Sequence, residues 1–214
     1  MMKNNSLALT LLLVSASLVG CLQDDDEPGF SWQERSEIEC DMTVNENLNC
    51  QLYLDGFGTP VLSIKHPNME EIWIVDLQGN ITSWDGNETR QVANLSGLVS
   101  TCHYEQGLFG LAFDDDFQQT GVVLLSYIKA EECEGEAGPL VLSEAVVIDG
   151  VINSDSVQVL LEIDEPYRNH NGGHILGIGN QNYLWGVGDG GSSKDPHNHG
   201  QNTSSKLGTI LLLE

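Results

Sequence analysis

Short apolar runs separated by turn-forming residues dominate this chain. Runs rich in Val, Ile and Leu and bounded by Gly, Asn, Asp or Pro are typical of β-strands. They predict strands at 61–64, 72–75, 81–84, 91–95, 108–113, 122–128, 140–148, 157–163, 174–178, 183–187 and 209–213. Beyond the first 20 residues no segment has the apolar spacing of an amphipathic helix. The predicted fold class is therefore all-β.

The predicted strands fall into repeating groups. Four of them lie within 61–95, separated by His-Pro-Asn, Gln-Gly-Asn and Asp-Gly-Asn turns, which is close to the roughly 40 to 50 residues of one propeller blade. A second group spans 105–163, with the insertion AEECEGEAGP between two of its strands. A third begins near Asn169. The grouping predicts about three blades.

Two glycine-rich motifs flank the hairpin predicted in the third group. His-Asn-Gly-Gly at 170–173 precedes its first strand, and Gly-Asp-Gly-Gly at 188–191 follows its second. An antiparallel hairpin places the end of the second strand beside the start of the first. We therefore expect the side chains of His170 and Asp189 to lie close together, ahead of a long loop at 190–207.

These motifs, together with EQGLFGLAFDDDF at 105–117 and the closing LGTILLLE, resemble the glucose/sorbosone dehydrogenase family. Its best-known members are six-bladed β-propellers that oxidise sugars with pyrroloquinoline quinone (PQQ). The resemblance implies a six-bladed propeller of which this chain holds about three blades, and it favours a fragment or a truncated gene. A natural half-propeller that closes by dimerising is the alternative, since open sheet edges must be covered.

The resemblance also implies roles for four residues. His170 matches the family's general base, and Asp189 matches the aspartate that holds the imidazole. Glu105 and Asn169 are the candidate cofactor-binding residues: Glu105 stands where sugar-oxidising members have a glutamine that touches cofactor and substrate, and Asn169 stands where they have an aspartate near the cofactor or substrate. PQQ is the implied cofactor. Its calcium ligands and cationic partners are expected on later blades, so we expect this chain alone to be inactive.

The first residues predict export. Lys3 precedes an apolar run at 7–19, which is too short for a membrane span. The run ends in Leu-Val-Gly-Cys, similar to a lipobox, so residues 1–20 are predicted to be a lipoprotein signal peptide with Cys21 as the lipidation site. Residues 21–35 are predicted to be an acidic tether, and 36–214 the partial propeller. An ordinary signal peptide or an uncleaved anchor are the alternatives; each interpretation gives a cell-envelope or extracellular protein.

Four further cysteines remain in this exported chain: Cys40, Cys50, Cys102 and Cys133. An even number in an oxidising compartment favours two disulfides. Cys40 with Cys50 would close a local loop, and Cys102 with Cys133 would link the ends of one blade-sized segment. All three connectivities stay open. Zinc binding is less favoured because no Cys-x-x-Cys spacing is present.

The net charge and the spacing of the histidines limit which macromolecules and metal ions the chain is expected to bind. A net charge of −24 disfavours nucleic acid and anionic lipid, so membrane contact is expected through the lipid anchor only. His170 with His174, and His197 with His199, have spacings that could suit a metal, but glycines interrupt the first pair and the second lies in a loop. We expect no metal site here. The acidic run at 114–116 lacks EF-hand spacing and is predicted to be a solvated turn.

The favoured function is an exported quinoprotein oxidoreductase that oxidises a sugar or related alcohol by hydride transfer to PQQ and passes electrons to an acceptor protein. The alternative is a non-catalytic propeller that binds a protein or glycan, as in the hedgehog-interacting branch of the superfamily. His170 with Asp189 favours the enzyme. Glu105 and Asn169 favour the binding module or a different substrate.

Overall fold

The computed structural model describes residues 53–130, 133 and 137–214. Predictions for the signal peptide, the tether, Cys21, Cys40 and Cys50 lie outside these residues. The strands are β1 Pro60–Lys65, β2 Ile72–Asp76, β3 Asn80–Trp84, β4 Thr89–Asn94, β5 Leu108–Phe113, β6 Val122–Ile128, β7 Leu140–Ile148, β8 Val151–Ile163, β9 Gly172–Gly179, β10 Asn182–Val187 and β11 Thr209–Leu213.

The strands form three antiparallel sheets in chain order: β1-β2-β3-β4, β5-β6-β7-β8 and β9-β10-β11. Each consecutive pair is antiparallel and hydrogen-bonded, as in propeller blades. The first strands of the sheets lie side by side, β1 against β5 and β5 against β9. The all-β prediction of about three blades is confirmed.

Helix is confined to two single turns within the described residues. An α-helical turn, α1, spans Phe117–Thr120 and is closed by Gly121 at φ +66°, the left-handed conformation common after helix ends. A 3₁₀ turn spans His199–Gln201. Neither is predicted from sequence, because four or fewer residues are too few to show helical periodicity. Among the described residues no helix has the length and apolarity needed to cross a membrane.

The core consists of two apolar clusters, one on each side of the second sheet. Trp73 and Ile81 of the first sheet pack with Leu125 of the second. Trp185 of the third sheet packs with Ile128 and Leu140 of the second. The Trp185 indole N–H also donates to Ser126 Oγ at 2.9 Å. Burial of these side chains, worth roughly 1.5–3 kcal/mol each, holds the third sheet, and hence the hairpin with its motifs, in place.

A disulfide joins Cys102 to Cys133, with 5.2 Å between the Cα atoms. It connects the segment before β5 to the insertion between β6 and β7. One of the pairings left open by the sequence is thereby established.

The acidic turn at 114–116 contacts the tip of the β9–β10 hairpin. Asp115 Oδ2 accepts the Gln181 backbone N–H at 2.7 Å, and Asp116 Oδ2 accepts the Gln181 side-chain amide at 3.2 Å. The Asp115 N–H donates to Tyr183 Oη at 3.2 Å. The turn is polar, as predicted, but it also fixes the hairpin against the second sheet.

Candidate functional site

His170 and Asp189 meet at the base of the third sheet. His170 Nδ1 lies 3.0 Å from Asp189 Oδ1. The hairpin register explains the approach, because Val187 pairs with Gly172 and each side chain lies two residues beyond that pair. An ionised carboxylate only accepts, so Nδ1 carries the hydrogen and Nε2 of the neutral ring carries the lone pair. The imidazole is 45% exposed, so a substrate can reach it.

The backbone of His170 is held by the segment that leads into the second sheet. Its φ is +59°, a left-handed conformation that non-glycine residues adopt rarely. Its N–H donates to Glu105 Oε2 at 2.8 Å, and Glu105 lies in the segment leading into β5. Glu105 was predicted to contact the cofactor. The structure places one of its oxygens against the His170 backbone, where it helps to hold the strained residue.

A backbone bridge joins the two chain segments that carry His170 and Asp189. The Gly188 N–H donates to the carbonyl oxygen of Asn171 at 3.0 Å. A Cβ at Gly188 would overlap the carbonyl oxygen of His170, so only glycine allows this approach. The Asp189 carboxylate also accepts the Gly191 N–H, at 3.0 Å through Oδ1. The carboxylate is therefore oriented before any substrate arrives.

The loop at 190–207 packs against the same segments. Asn169 Oδ1 accepts the Ser192 N–H at 2.9 Å, so this predicted cofactor contact ties the loop to the segment before His170. His199 Nδ1 lies 2.8 Å from the carbonyl oxygen of Asp189. A carbonyl cannot donate, so Nδ1 of His199 does. The role of His199 in holding Asp189 was missed, because a loop histidine gives no periodic signal.

The other histidines singled out for their spacing lie on β9 and in the loop that follows β10. Within the described ranges, no group of three or more His, Cys, Asp or Glu side chains is arranged to hold a metal ion. His174 lies on β9, beside an open groove of about 620 Å³ that Phe109 and Ile210 also line. The His197 and His199 rings stack at 5.3 Å between centroids.

A buried polar pair, absent from the predicted site, lies beside it. Glu165 is 6% exposed and Asn171 is 2% exposed. Neither carboxylate oxygen of Glu165 and neither polar atom of the Asn171 amide has a hydrogen-bond partner among the described residues. Burial raises the pKa of Glu165 to about 8, opposed by the nearby Asn171 amide and reinforced by the charge of Asp189. Nothing in a Glu-Pro dipeptide of a connecting segment signals this burial.

A family model described as Glucose / Sorbosone dehydrogenase matches residues 60–214, which is more than half of the chain. The structure resembles an aldose sugar dehydrogenase from Streptomyces coelicolor in its PQQ-bound form, with TM-score 0.57, 18% identity and coverage of 74% of this chain and 45% of that one. It also resembles the apo form of the soluble aldose sugar dehydrogenase from Escherichia coli, with TM-score 0.58, 20% identity and coverage of 72% and 44%.

A glucose dehydrogenase-type oxidoreductase from Thermus thermophilus gives TM-score 0.59 at 22% identity, with coverage of 74% of this chain and 44% of that one. This chain spans less than half the length of each of these three structures. At such identities the likeness concerns the fold, and it confirms the partial propeller.

Proposed function

Because the chain belongs to the glucose/sorbosone dehydrogenase family, we propose that it is part of an exported quinoprotein oxidoreductase. Its substrate is a sugar or related alcohol, its hydride acceptor is PQQ, and His170 is the general base. The single observation that carries the proposal is the 3.0 Å contact between His170 Nδ1 and Asp189 Oδ1, which leaves Nε2 as the basic nitrogen. A PQQ-bound structure of the same fold, from S. coelicolor, supports the choice of cofactor.

The chemistry assigned to the chain's own residues is a proton transfer. Nε2 of His170 takes the proton from the substrate hydroxyl as the C–H bond of the same carbon breaks and its two electrons leave with the hydride. The carbon is thereby oxidised to a carbonyl. Asp189 stabilises the imidazolium that forms, and the hydrogen bond to Nδ1 keeps the ring in the tautomer that presents Nε2. PQQ, when bound, supplies the hydride acceptor.

The described residues fit one side of such a site. They supply the base, its carboxylate partner and a glycine-rich backbone that a flat cofactor could approach. Three of the described cations, Lys65, Arg90 and Lys129, form ion pairs in the first two sheets, away from His170. The carboxylates of PQQ would need cations, so we assign those cations, and the calcium ligands, to further blades of a complete propeller.

The proposal also includes the location of the protein and its binding partners. A lipid on Cys21 would hold the protein at the cell envelope, and an acceptor protein would take electrons from reduced cofactor. Neither nucleic acid nor an anionic lipid surface suits the acidic chain, whose net charge is −24. The lipid anchor and the unsuited partners rest on sequence features outside the site, whereas the acceptor protein rests on the proposed chemistry alone.

A non-catalytic propeller is the second candidate, and one observation favours it. One side-chain oxygen of Glu105 accepts the His170 backbone N–H, and the side-chain oxygen of Asn169 accepts the Ser192 backbone N–H. Both residues therefore have structural roles that require no cofactor. In that case the exposed loops of the propeller would bind a protein or glycan.

The experiment that tests the enzyme is an absorbance titration of PQQ, with and without calcium, into the chain together with any coding sequence that follows Glu214 in the gene. We expect saturable, calcium-dependent binding and sugar-driven dye reduction. His170→Ala should abolish the reduction and leave binding intact, whereas His174→Ala, on the adjoining strand, should leave both unchanged. No binding at cofactor concentrations far above micromolar would reject the enzyme in favour of the binding module.

A further inference from the structure

The buried pair of Glu165 and Asn171 lies close to the His170–Asp189 contact, since Asn171 follows His170 in the chain and the charge of Asp189 acts on Glu165. Both side chains are more than nine-tenths buried, and all four of their polar atoms lack partners among the described residues. Buried polar groups are normally satisfied, so a set of four requires an explanation. An ionised carboxylate without partners would be costly here, whereas a protonated one can donate to the amide oxygen.

Asn171 connects this pair to the site through the backbone. It follows His170 in the chain, and its carbonyl oxygen accepts the Gly188 N–H at 3.0 Å. Gly188 in turn precedes Asp189. The backbone bridge therefore starts from the residue whose side chain is buried beside Glu165, one position from His170 and opposite the neighbour of Asp189.

The charges around Glu165 favour its protonated form. Asp189, after β10, adds a negative charge that disfavours ionisation of Glu165. Glu165 borders a groove of about 370 Å³, which is also lined by Asp164 from the same segment and by His197 and His199 from the loop. His199 already donates Nδ1–H to the carbonyl of Asp189. The two histidines are the groups in the groove that could carry a compensating charge, and they do so only when protonated.

We propose that Glu165 is a positioning residue, which as a protonated acid pairs with Asn171 and thereby holds Asp189 against His170. The proposal deepens the function proposed above, since it concerns the same base. When Glu165 loses its proton, a second carboxylate charge appears behind Asp189, and the pair with Asn171 loses its donor. The geometry of the His170–Asp189 contact should then change with pH above neutrality.

The first test is a direct titration of the whole chain by NMR, with ¹³C-labelled glutamate and ¹⁵N-labelled histidine. The Glu165 carboxyl signal should keep its protonated shift through pH 7 and move near pH 8. The ring-nitrogen shifts of His170 should show a step at the same pH. A Glu165 signal that is already that of a carboxylate at pH 6 would overturn the proposal, and this measurement needs no variant to fold.

The second test compares two neutral substitutions in neighbouring residues. Glu165→Gln keeps size and hydrogen-bonding capacity, so the His170 step near pH 8 should disappear while the fold is retained. Asp164→Asn removes a charge from the same groove but at an exposed position, so the step should remain. A His170 titration curve that is the same in Glu165→Gln and wild type would overturn the proposal.

These measurements separate the proposal from the function on which it rests. They use neither PQQ nor a sugar, so absence of enzyme activity would leave their outcome unchanged. In the active enzyme, Glu165→Gln should leave the rate at pH 7 within about 3-fold of wild type and remove the component of the pH profile near pH 8. A purely structural role for Glu165 would leave that profile unaltered.

Discussion

His170 Nδ1 and Asp189 Oδ1 lie 3.0 Å apart although 19 residues separate them in the chain. The hairpin brings the two residues near, but three other contacts fix the geometry: the Glu105 carboxylate on the His170 N–H, the Gly188 bridge and the Gly191 N–H on Asp189. The contact is therefore a property of the folded segments around it.

Asp189→Asn should allow the imidazole of His170 to adopt both neutral tautomers. The replacement amide can either accept from Nδ1 or donate to it, so both neutral forms become populated. We expect ¹⁵N spectra to show Nδ1 protonated in the wild type and a mixture in the variant. In the active enzyme the rate should fall roughly 10²-fold or more, as expected when a general base is misoriented. Asp155→Asn, on the exposed part of β8, should change neither; a single unchanged tautomer in Asp189→Asn would contradict the assignment.

Glu105→Ala should destabilise the segment around His170. It removes the acceptor of the His170 N–H, and because this hydrogen bond is exposed, water can partly replace the acceptor, so the free energy of unfolding should fall by about 0.5–1.5 kcal/mol. Glu105→Gln should cost less, since its amide oxygen can still accept. Urea denaturation measures both, and hydrogen exchange at the His170 amide localises the effect. Glu88→Ala, in an exposed turn, is the control, and equal exchange at His170 in Glu105→Ala and wild type would refute the role.

Gly188→Ala should be far more damaging than the same change two residues earlier. The new Cβ would overlap the carbonyl oxygen of His170, whereas at Gly186 the nearest heavy atom is 3.9 Å away. We expect Gly188→Ala to cost about 3 kcal/mol or more, at the high end for single substitutions. Gly186→Ala should cost less than about 1 kcal/mol. Thermal unfolding distinguishes the two, and similar midpoints would show that the bridge is not as tight as described.

The strands were largely predictable because their apolar runs are dense and bounded by turn residues. The prediction for β8 was incomplete: it began at residue 157, whereas the strand begins at Val151. Asn153 and Asp155 interrupt the apolar run there; Asp155 is exposed and Asn153 half-buried on a long outer strand. A polar residue on an exposed edge does not end a strand, but it removes the signal from which strands are predicted.

The proximity of His170 and Asp189 was predictable for a different reason, since an antiparallel hairpin places the end of its second strand beside the start of its first. The buried pair of Glu165 and Asn171, and the His199 contact to the Asp189 carbonyl, depend on how three segments pack. Sequence periodicity carries no information about such packing. The cofactor role predicted for Glu105 stays a prediction, although its contact with the His170 backbone gives it a structural one.

The disulfide between Cys102 and Cys133 should stabilise the protein by lowering the conformational entropy of the unfolded chain. The two residues are 31 apart, and closing a loop of that length is worth about 3–4 kcal/mol in the chain-entropy model. The double variant Cys102→Ser/Cys133→Ser should lower the unfolding midpoint accordingly. Peptide mapping of the non-reduced protein should recover the Cys102–Cys133 linkage. Recovery of Cys102 bonded to a different cysteine would contradict the structure.

Stability should fall as the pH rises through the titration of Glu165. The pKa of Glu165 is about 8 in the folded protein against an ordinary 4.5, so between these values the folded state holds a proton that the unfolded state has released. Its contribution is therefore fully present below about pH 4.5 and is lost by about pH 8, a change of roughly 3–5 kcal/mol. Other carboxylates titrate too, so the quantity to measure is the difference in unfolding free energy between wild type and Glu165→Gln. Relative to Glu165→Gln, the wild type should lose unfolding free energy from pH 5 to 8, and the difference should then level off. A difference that is independent of pH would mean that Glu165 is ionised in the folded protein.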